Sequence, residues 1–265
     1  MIGSVRPDAT SKHRAFYEAD DPQRWGRPEM PQAAGETLRW IEAAGLQANA
    51  RCLELGSGAG ALAELVPQMW GLEISWRALR NMRSTRGICG DMQACPVRSE
   101  GLEFVFSWAA IEHVPVPELV LAEVERILKP GGVALLAPAW NVRPWAASGI
   151  EVTPWRSLGL RQRLTRILLP VRNALAFRAL VALPGRIRRE ALLASGRKVS
   201  LEYRRLEPNL AEYVQTDSDA FSSIDPHAAI AYFASRKWDV LSHPDWRARM
   251  LSRHEPVVAR KPRTL

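Results

Sequence analysis

A glycine-rich turn, placed between a short apolar run and a candidate helix, constrains the fold of this chain more than any other feature. Residues 54–60 read Glu-Leu-Gly-Ser-Gly-Ala-Gly and follow the apolar pair Cys52 and Leu53. Glycine has no Cβ, so the backbone can turn tightly there and let a ligand lie against it. Ligands of open α/β sheets bind at this end of a strand. The turn therefore predicts a ligand site beyond a first strand.

Apolar runs and helical periodicities alternate on both sides of this turn. The expected strands are residues 50–55, 69–74, 87–89, 103–107 and 133–137, and the expected helices are residues 36–44, 61–66, 77–83 and 117–128. Such alternation predicts a parallel sheet with right-handed crossovers. After Pro138 the alternation stops, and it resumes with a helix at 225–235 and two final strands at 238–242 and 255–260.

These patterns predict an α/β fold, a Rossmann-like, doubly wound and mostly parallel sheet of seven strands with a basic helical insertion after the fifth. We expect an N-terminal lid at residues 1–35, a core formed by 36–140 and 219–265, and a helical cap at 141–218.

The composition indicates a globular chain with a sizeable core. Of its 265 residues 47% are hydrophobic, and no apolar run is long enough to cross a bilayer. The polar N-terminus does not resemble a signal peptide, and the three cysteines have no metal-binding spacing. We therefore expect a cytoplasmic protein, with peripheral membrane attachment as an alternative, and neither disulfides nor a metal site.

The positive charge is concentrated in one segment. The chain carries a net +8, but residues 155–205 hold twelve Arg and one Lys against two Glu, a local net charge of +11. The remainder is therefore slightly acidic, which argues against nucleic-acid binding as the main function and predicts no nucleic-acid partner.

Three acidic residues stand at the ends of successive expected strands. Glu54 opens the glycine turn, Glu73 ends the second strand nineteen residues later, and Asp91 follows the third. An acid at the second strand end can accept both hydroxyls of a ribose, and one after the third can accept from an adenine amine. The glycine spacing is neither that of a dinucleotide-binding turn nor that of a phosphate-binding loop. The pattern predicts an adenosine ligand without a pyrophosphate.

The chain resembles the class I S-adenosylmethionine-dependent methyltransferases of the small-molecule kind. The resemblance covers residues 36–140 well and 225–262 more weakly. It rests on six motifs in the family's order, at residues 53–60, 71–75, 90–92, 104–107, 111–114 and 128–132. The family usually has Asp where Glu103 stands, at a strand start distant from the reaction.

The resemblance implies S-adenosyl-L-methionine as cofactor and a role for each motif residue. Glu54 would meet its amino group, Glu73 with the adjacent Ile74 would bind the ribose, and Asp91 and Met92 would hold the adenine. Trp108 would cover the cofactor near the sulfonium. The turn residues that would line the methionine part are Gly56, Ser57, Gly58 and Gly60.

Methyl transfer from a sulfonium is an in-line displacement that depends mainly on placing the acceptor in a dry pocket. A base is needed when the acceptor is a hydroxyl, and His113 is the candidate. An amine or carboxylate acceptor needs no strong base. A small-molecule acceptor methylated on oxygen or nitrogen is the leading hypothesis.

The acceptor should be recognised by the segments outside the shared core. Around residues 16–18 and 24–27 the N-terminus could fold over the cofactor as a lid, and Tyr203, Tyr213 and His227 are the expected substrate contacts. In the insertion, apolar side chains between Leu160 and Leu175 share one helical face and Arg side chains the other. Three interpretations remain open for it: a cap packed on the sheet with its Arg side solvated, a basic surface resting on anionic lipid, or a pocket for a phosphate or carboxylate.

Three rival functions follow from these features. A catalytically inactive cofactor-binding or partner module would keep the three acids, and a methyltransferase for a lipid-linked substrate would use the basic insertion at a membrane surface. A nicotinamide-dependent reductase is disfavoured by the glycine spacing and by the lack of a Tyr-x-x-x-Lys pair.

Overall fold

The structure is a computed structural model that describes residues 7–19, 30–47, 49–62, 66, 69–82, 86–210 and 215–263. Its central element is a seven-stranded sheet with strand order β3-β2-β1-β4-β5-β9-β8. The strands are β1 (Cys52–Leu55), β2 (Met69–Glu73), β3 (Gly87–Cys89), β4 (Leu102–Trp108), β5 (Leu128–Ala137), β8 (Asp239–Val240) and β9 (Val257–Arg260). A separate pair consists of β6 (Tyr203–Arg205) and β7 (Ser222–Ile224).

Strands β1 to β5 are parallel, and β9 enters antiparallel between β5 and β8. The order reverses at β1, which pairs with both β2 and β4. This reversal creates a crevice at the carboxyl ends of β1 and β4, the usual ligand position in such sheets. The predicted α/β class and seven-stranded, mostly parallel sheet are confirmed.

The helices of the sheet domain cover both faces. They are α1 (Pro7–Ala19), α2 (Met30–Ala43), α3 (Trp76–Arg80), α4 (Pro117–Ile127), α9 (Pro226–Ala234) and α10 (Trp246–Leu251). One apolar cluster packs α4 and α9 against the sheet and includes Val124 and Phe233, and the other packs α2 against it and includes Phe104 and Phe106. A parallel strand buried on both faces explains the uninterrupted apolar runs of the sequence.

Several predicted boundaries differ from the structure; α2, for example, begins at Met30 rather than at residue 36. The fifth strand begins at Leu128 rather than Val133, because Leu128 pairs with Leu102 and a register irregularity accommodates the Pro-Gly-Gly segment. Residues 58–62, at the end of the glycine loop and just beyond it, form turns. The helix predicted for 61–66 lies partly outside the described residues.

The insertion is helical, but it is not a cap packed on the sheet with its Arg side solvated, the first of the three interpretations. It contains α5 (Pro144–Ala147), α6 (Leu160–Ile167), α7 (Leu169–Asn173) and α8 (Leu175–Ala194), and β6 returns the chain to β7. The apolar side chains of α6 to α8 face outward, and the buried residues of α8 are Arg186 and Arg189. The two arginines are buried because both form ion pairs with Asp225 at the start of α9, so the side of α8 that carries them faces inward. A cap whose apolar face packs on the sheet is therefore the wrong interpretation.

Among the described helices, none combines the length and the hydrophobicity that crossing a bilayer requires. The domain division proposed from the sequence stays a prediction.

Candidate active site

The glycine loop lies where the sequence places it, at the carboxyl end of β1. The N–H groups of Gly56 and Ser57 both donate to the carbonyl of Leu72 in β2, at 2.8 and 3.1 Å. Gly56, Gly58 and Gly60 all have positive φ angles. The loop is thereby fixed to the neighbouring strand in a conformation that favours glycine.

Gly56 also leaves space that a side chain would fill. A Cβ at this position would lie 2.4 Å from the Cβ of Ala110 and 3.1 Å from the Cε of Met92. Ala110 and Met92 belong to the loops that follow β4 and β3, so three strand ends converge here. The lack of a side chain at Gly56 lets these loops approach one another closely.

Replacing Gly56 by alanine is expected to lower the free energy of unfolding by about 2–4 kcal/mol, because strain at positive φ adds to a clash with Ala110. Gly45→Ala is the matched control, since Gly45 has φ +67° against +75° for Gly56 but nothing within 4 Å of its Cβ position. The control should cost about 1 kcal/mol. Urea unfolding measures both, and equal losses would contradict the close approach at Gly56.

Two buried polar atoms at the loop have no hydrogen-bond partner among the described residues. They are Oε2 of Glu54 and Oγ of Ser57. Burial, and to a lesser extent the nearby Glu73 carboxylate, raises the pKa of Glu54 to about 8. A buried, unsatisfied carboxylate is costly unless a donor meets it. The ammonium group of an amino acid is a donor of the right charge.

Glu73 ends β2 and faces the same loop. Its Oε2 accepts from the N–H of Gly58 at 2.9 Å, and its Oε1 accepts from the N–H of Ser75 at 3.0 Å. Burial raises the pKa of this carboxyl, and the two backbone hydrogen bonds oppose the rise. Ile74 follows directly and is half-buried. Each carboxylate oxygen keeps acceptor capacity for a ribose hydroxyl.

Asp91 and Met92 lie just beyond β3. Oδ1 of Asp91 accepts from the N–H of Gln93 at 2.8 Å and caps the short 3₁₀ helix Met92–Ala94. Both residues are half-buried. The predicted adenine contacts therefore stand at the third strand end, adjacent to the first two acids.

Trp108 ends β4 and contacts α2. Its indole Nε1 donates to Oγ1 of Thr37 at 3.0 Å, and its ring packs against the apolar cluster between α2 and the sheet. This contact joins α2 to the end of β4. Covering of the cofactor by Trp108 stays a prediction.

The residues present fit an adenosyl cofactor with an amino-acid tail. The glycine loop leaves room, Glu54 provides an unsatisfied buried oxygen, and Glu73 and Asp91 follow at the next two strand ends. When bound, S-adenosylmethionine supplies an electrophilic methyl group on its sulfonium.

His113 lies in the 3₁₀ helix Ile111–His113 that follows β4. Its Nδ1 is 3.3 Å from Oδ2 of Asp219, and its Nε2 is 3.6 Å from Oε1 of Glu112. Tyr17 donates a short hydrogen bond to the same Asp219 oxygen, and its ring meets the His113 ring edge-on at 6.5 Å. A buried imidazole oriented by a carboxylate can take and hold a proton.

Helix α1 encloses this group. His13 packs edge-on against Tyr17 and Phe221, with centroids 5.0 and 5.4 Å apart. Burial lowers the pKa of His13 to about 4. Glu18 accepts from the N–H groups of Trp76 and Arg77 and so fastens α1 to the start of α3. Residues 16–18 of the predicted lid thus lie beside the strand ends, and residues 24–27 lie outside the described residues.

Sequence reasoning did not predict that His13, Tyr17, Glu112 and Asp219 group around His113. No spacing signal connects them, because Tyr17 and Asp219 are 202 residues apart. Glu112, the neighbour of His113, is fully buried, and burial raises its pKa.

The predicted substrate contacts are dispersed. Tyr203 lies in β6 and lines a cavity of about 770 Å³ within the insertion, and burial and then Glu118 raise its pKa to about 12. Tyr213 lies outside the described residues. His227 has no exposed surface, and its nitrogens contact Nε of Arg189 and Oε1 of Glu190, both at 3.1 Å. This placement does not favour a direct substrate contact for His227.

One cluster bears on the expectation that the protein has no metal. Among the described residues, Glu112, His113 and Asp217 offer ligand atoms within 4.8 Å of one another. This spacing is compatible with a cation, so the absence of a metal stays a prediction.

Comparisons with known proteins address the family. Residues 53–136 match a family model described as a methyltransferase domain. No curated protein matches the chain.

Solved structures are similar over part of the chain. A Haloferax volcanii methyltransferase in complex with the Trm112 methyltransferase activator is 23% identical with a TM-score of 0.39, over 54% of this chain and 65% of that one. A Thermotoga maritima S-adenosylmethionine-dependent methyltransferase is 25% identical with a TM-score of 0.32, over 42% and 60%. Haemonchus contortus phosphoethanolamine N-methyltransferase 2, in complex with S-adenosyl-L-methionine, is 23% identical with a TM-score of 0.34, over 39% and 28%. The match spans less than two thirds of each of these structures.

The family match covers β1 to β5 with the glycine loop, Glu54, Glu73, Asp91 and the loop after β4. Residues 53–136 thus match a methyltransferase domain, and the strand order and the loop geometry are consistent with the fold of the class I S-adenosylmethionine-dependent methyltransferases.

Proposed function

We propose that this chain is an S-adenosylmethionine-dependent methyltransferase that transfers the methyl group to an oxygen or nitrogen of a small-molecule acceptor. The observation that carries the proposal is the enclosed group of His113, Asp219 and Tyr17 beside the end of β4. It stands next to the glycine loop, through Ala110, and under α1. A site covered by a helix in this way suits a small acceptor better than a folded macromolecule.

The polar groups support an acceptor whose proton must be removed. His113 is buried with a carboxylate on each side, from Glu112 and Asp219. Such neighbours orient the ring and stabilise the imidazolium that forms when a hydroxyl proton is taken. In this proposal His113 is the base, and Asp219 and Tyr17 position it.

The proposal is tested by methyl transfer from radiolabelled S-adenosylmethionine to a panel of phenols, carboxylic acids and amines. We expect turnover with at least one hydroxyl acceptor. Cofactor binding without turnover of any small acceptor would count against the proposal.

Substituting His113 by asparagine should lower the rate with a hydroxyl acceptor by about 10²–10⁴-fold, because the transferred proton loses its receiver. Cofactor affinity, measured by calorimetry, should change by less than about twofold, since we assign His113 no cofactor contact. His243→Asn is the matched control, because His243 is a buried histidine in the loop after β8, at the sheet edge. An unchanged rate in His113→Asn would refute the base assignment.

A second candidate is an acceptor with an anionic or lipid-linked group. The cavity beside Tyr203 is lined by Arg143, Arg172, Arg178 and Arg204, by the apolar Phe177 and Val181, and by Glu202 and Asp225, both of which pair with Arg189. Guanidinium groups bind phosphates and carboxylates well. A kinetic preference for phosphorylated or lipid-linked acceptors, lost in Arg172→Gln, would favour this candidate.

A further inference from the structure

The outward face of helices α6 to α8 is apolar to an unusual degree. Large apolar side chains of this segment that are 41–75% exposed form what we call the α6–α8 surface: Leu160, Leu164, Ile167, Leu168, Val171, Leu175, Phe177, Leu180, Val181, Leu183 and Ile187. Single exposed apolar residues are common on proteins, but so many of them on three consecutive helices indicate an interaction site.

These helices bury arginines and expose apolar side chains, the reverse of ordinary surface helices. In α8, Arg186 and Arg189 are buried while Leu180 and Val181 are 68% and 64% exposed. In α6, Arg163 and Arg166 turn back to donate to backbone carbonyls of residues 153–156, and Leu160 is 75% exposed. The chain thus uses its arginines for internal bonds and presents its leucines outward.

The charged residues within this segment are of one sign. Between Val152 and Arg189 the sequence contains nine Arg and no Asp or Glu. The nearest following acids are engaged, since Glu190 binds Arg249 and Glu202 binds Arg188. Among the described residues, Arg156, Arg161 and Arg178 make no ion pair. The partner must therefore be apolar and anionic together.

We propose that the α6–α8 surface docks on an anionic lipid bilayer. The helices are too short or too polar to cross it, so they would lie in its interfacial plane. The apolar side chains would enter the boundary between headgroups and acyl chains, and the free arginines would meet lipid phosphates. This proposal is independent of the acceptor's identity.

Vesicle flotation of the full chain tests the proposal. We expect binding to vesicles of 70% phosphatidylcholine and 30% phosphatidylglycerol at about 0.1 M salt, and at least about tenfold weaker binding to pure phosphatidylcholine or at about 0.5 M salt. Absence of binding to the anionic vesicles would overturn it.

Two sets of variants separate the apolar and the charged contributions. Leu164→Gln, Ile167→Gln and Leu180→Gln combined should weaken binding at least about thirtyfold, because three apolar side chains no longer leave water. Trp246→Gln with Leu251→Gln is the control, since both are 57–69% exposed but lie on α10. This control should bind as the wild type does.

The charged pair Arg156→Gln and Arg161→Gln should weaken binding about tenfold, against little change for the exposed control pair Arg247→Gln and Arg253→Gln. Circular dichroism confirms that each variant is folded. Equal losses for the surface and control variants would overturn the proposal. The proposal would also be overturned if sedimentation without lipid showed a dimer that dissociates in the combined Leu164→Gln, Ile167→Gln and Leu180→Gln variant. The surface would then be covered by a second copy of this chain.

Discussion

Replacing Glu54 by glutamine is expected to stabilise the cofactor-free protein at pH 8 and to weaken S-adenosylmethionine binding. Burial raises the pKa of Glu54 to about 8 from an ordinary value of 4.5. Folding is therefore unaffected by this group below about pH 4.5, and ionisation of the buried carboxyl destabilises the folded state increasingly up to pH 8. The full cost above pH 8 is on the order of 5 kcal/mol.

The glutamine variant removes this cost because an amide does not ionise. Its melting temperature should exceed that of the wild type by roughly 5–15 °C at pH 8 and be similar at pH 4.5. The exposed Glu42 supplies the control, and Glu42→Gln should change neither value. Equal melting temperatures of wild type and Glu54→Gln at pH 8 would show that Glu54 is not held in a desolvated site.

The same substitution should reduce affinity for S-adenosylmethionine about 10- to 100-fold, because the cofactor amine loses an ionised partner. Binding to the wild type should release a proton from Glu54, so affinity should rise with pH, by up to about tenfold per unit, between pH 6 and 7.5. Calorimetry in buffers of different ionisation enthalpy measures both effects. A pH-dependence that persists unchanged in Glu54→Gln would assign the released proton to another group.

Substituting Asp225 by alanine is expected to destabilise the protein by about 3–5 kcal/mol, because buried Arg186 would lose its ion-pair partner and buried Arg189 would keep only Glu202, at 3.2 Å. Oδ1 and Oδ2 of Asp225 accept from Nη2 of Arg186 and Nη2 of Arg189, both at 2.6 Å. The side chains of these arginines are only 11% and 6% exposed. Arg189 also donates to Nδ1 of His227, whose pKa is lowered to about 4 by burial and then by that guanidinium.

Asp225 also caps α9, so the control must separate the cap from the ion pairs. Asp245 caps the exposed helix α10 through the N–H of Ala248 at 2.9 Å and makes no ion pair with a described residue. Asp245→Ala should therefore cost only about 1 kcal/mol. Asp225→Asn keeps a cap but removes the charge and should stay close to Asp225→Ala. Denaturant unfolding measures the free energy of unfolding of the three variants. If Asp225→Ala loses no more of it than Asp245→Ala does, the arginines find other partners.

The placement of the residues proposed to bind the cofactor was predictable from local sequence because they stand at strand ends. A parallel sheet brings the ends of β1, β2 and β3 to one edge, so Glu54, Glu73 and Asp91 become neighbours once the alternation is recognised. The base candidate His113 was also found in this way, from its place after β4. The short pair β6 and β7 escaped prediction, because each strand has only three residues and no clear periodicity.

The partners of His113 and the orientation of the insertion were not predictable. Asp219 and Tyr17 reach the histidine from the two ends of the chain, and no spacing rule connects them. The helical periodicity between Leu160 and Leu175 identified an apolar face but did not say which way it points. In α6, Arg163 and Arg166 donate to the backbone carbonyls of residues 153–156, and in α8 Asp225 holds Arg186 and Arg189 inward.

By itself, the sequence determined the class of sheet, the glycine loop and the acids that indicate the cofactor, because these depend on short-range spacing and on strand ends that share an edge. Only the tertiary structure decided which distant polar groups lie around His113 and that the basic insertion turns its leucines outward. Those features depend on burial and charge pairing between residues far apart in the chain, and a linear pattern of apolar and charged residues is compatible with either orientation.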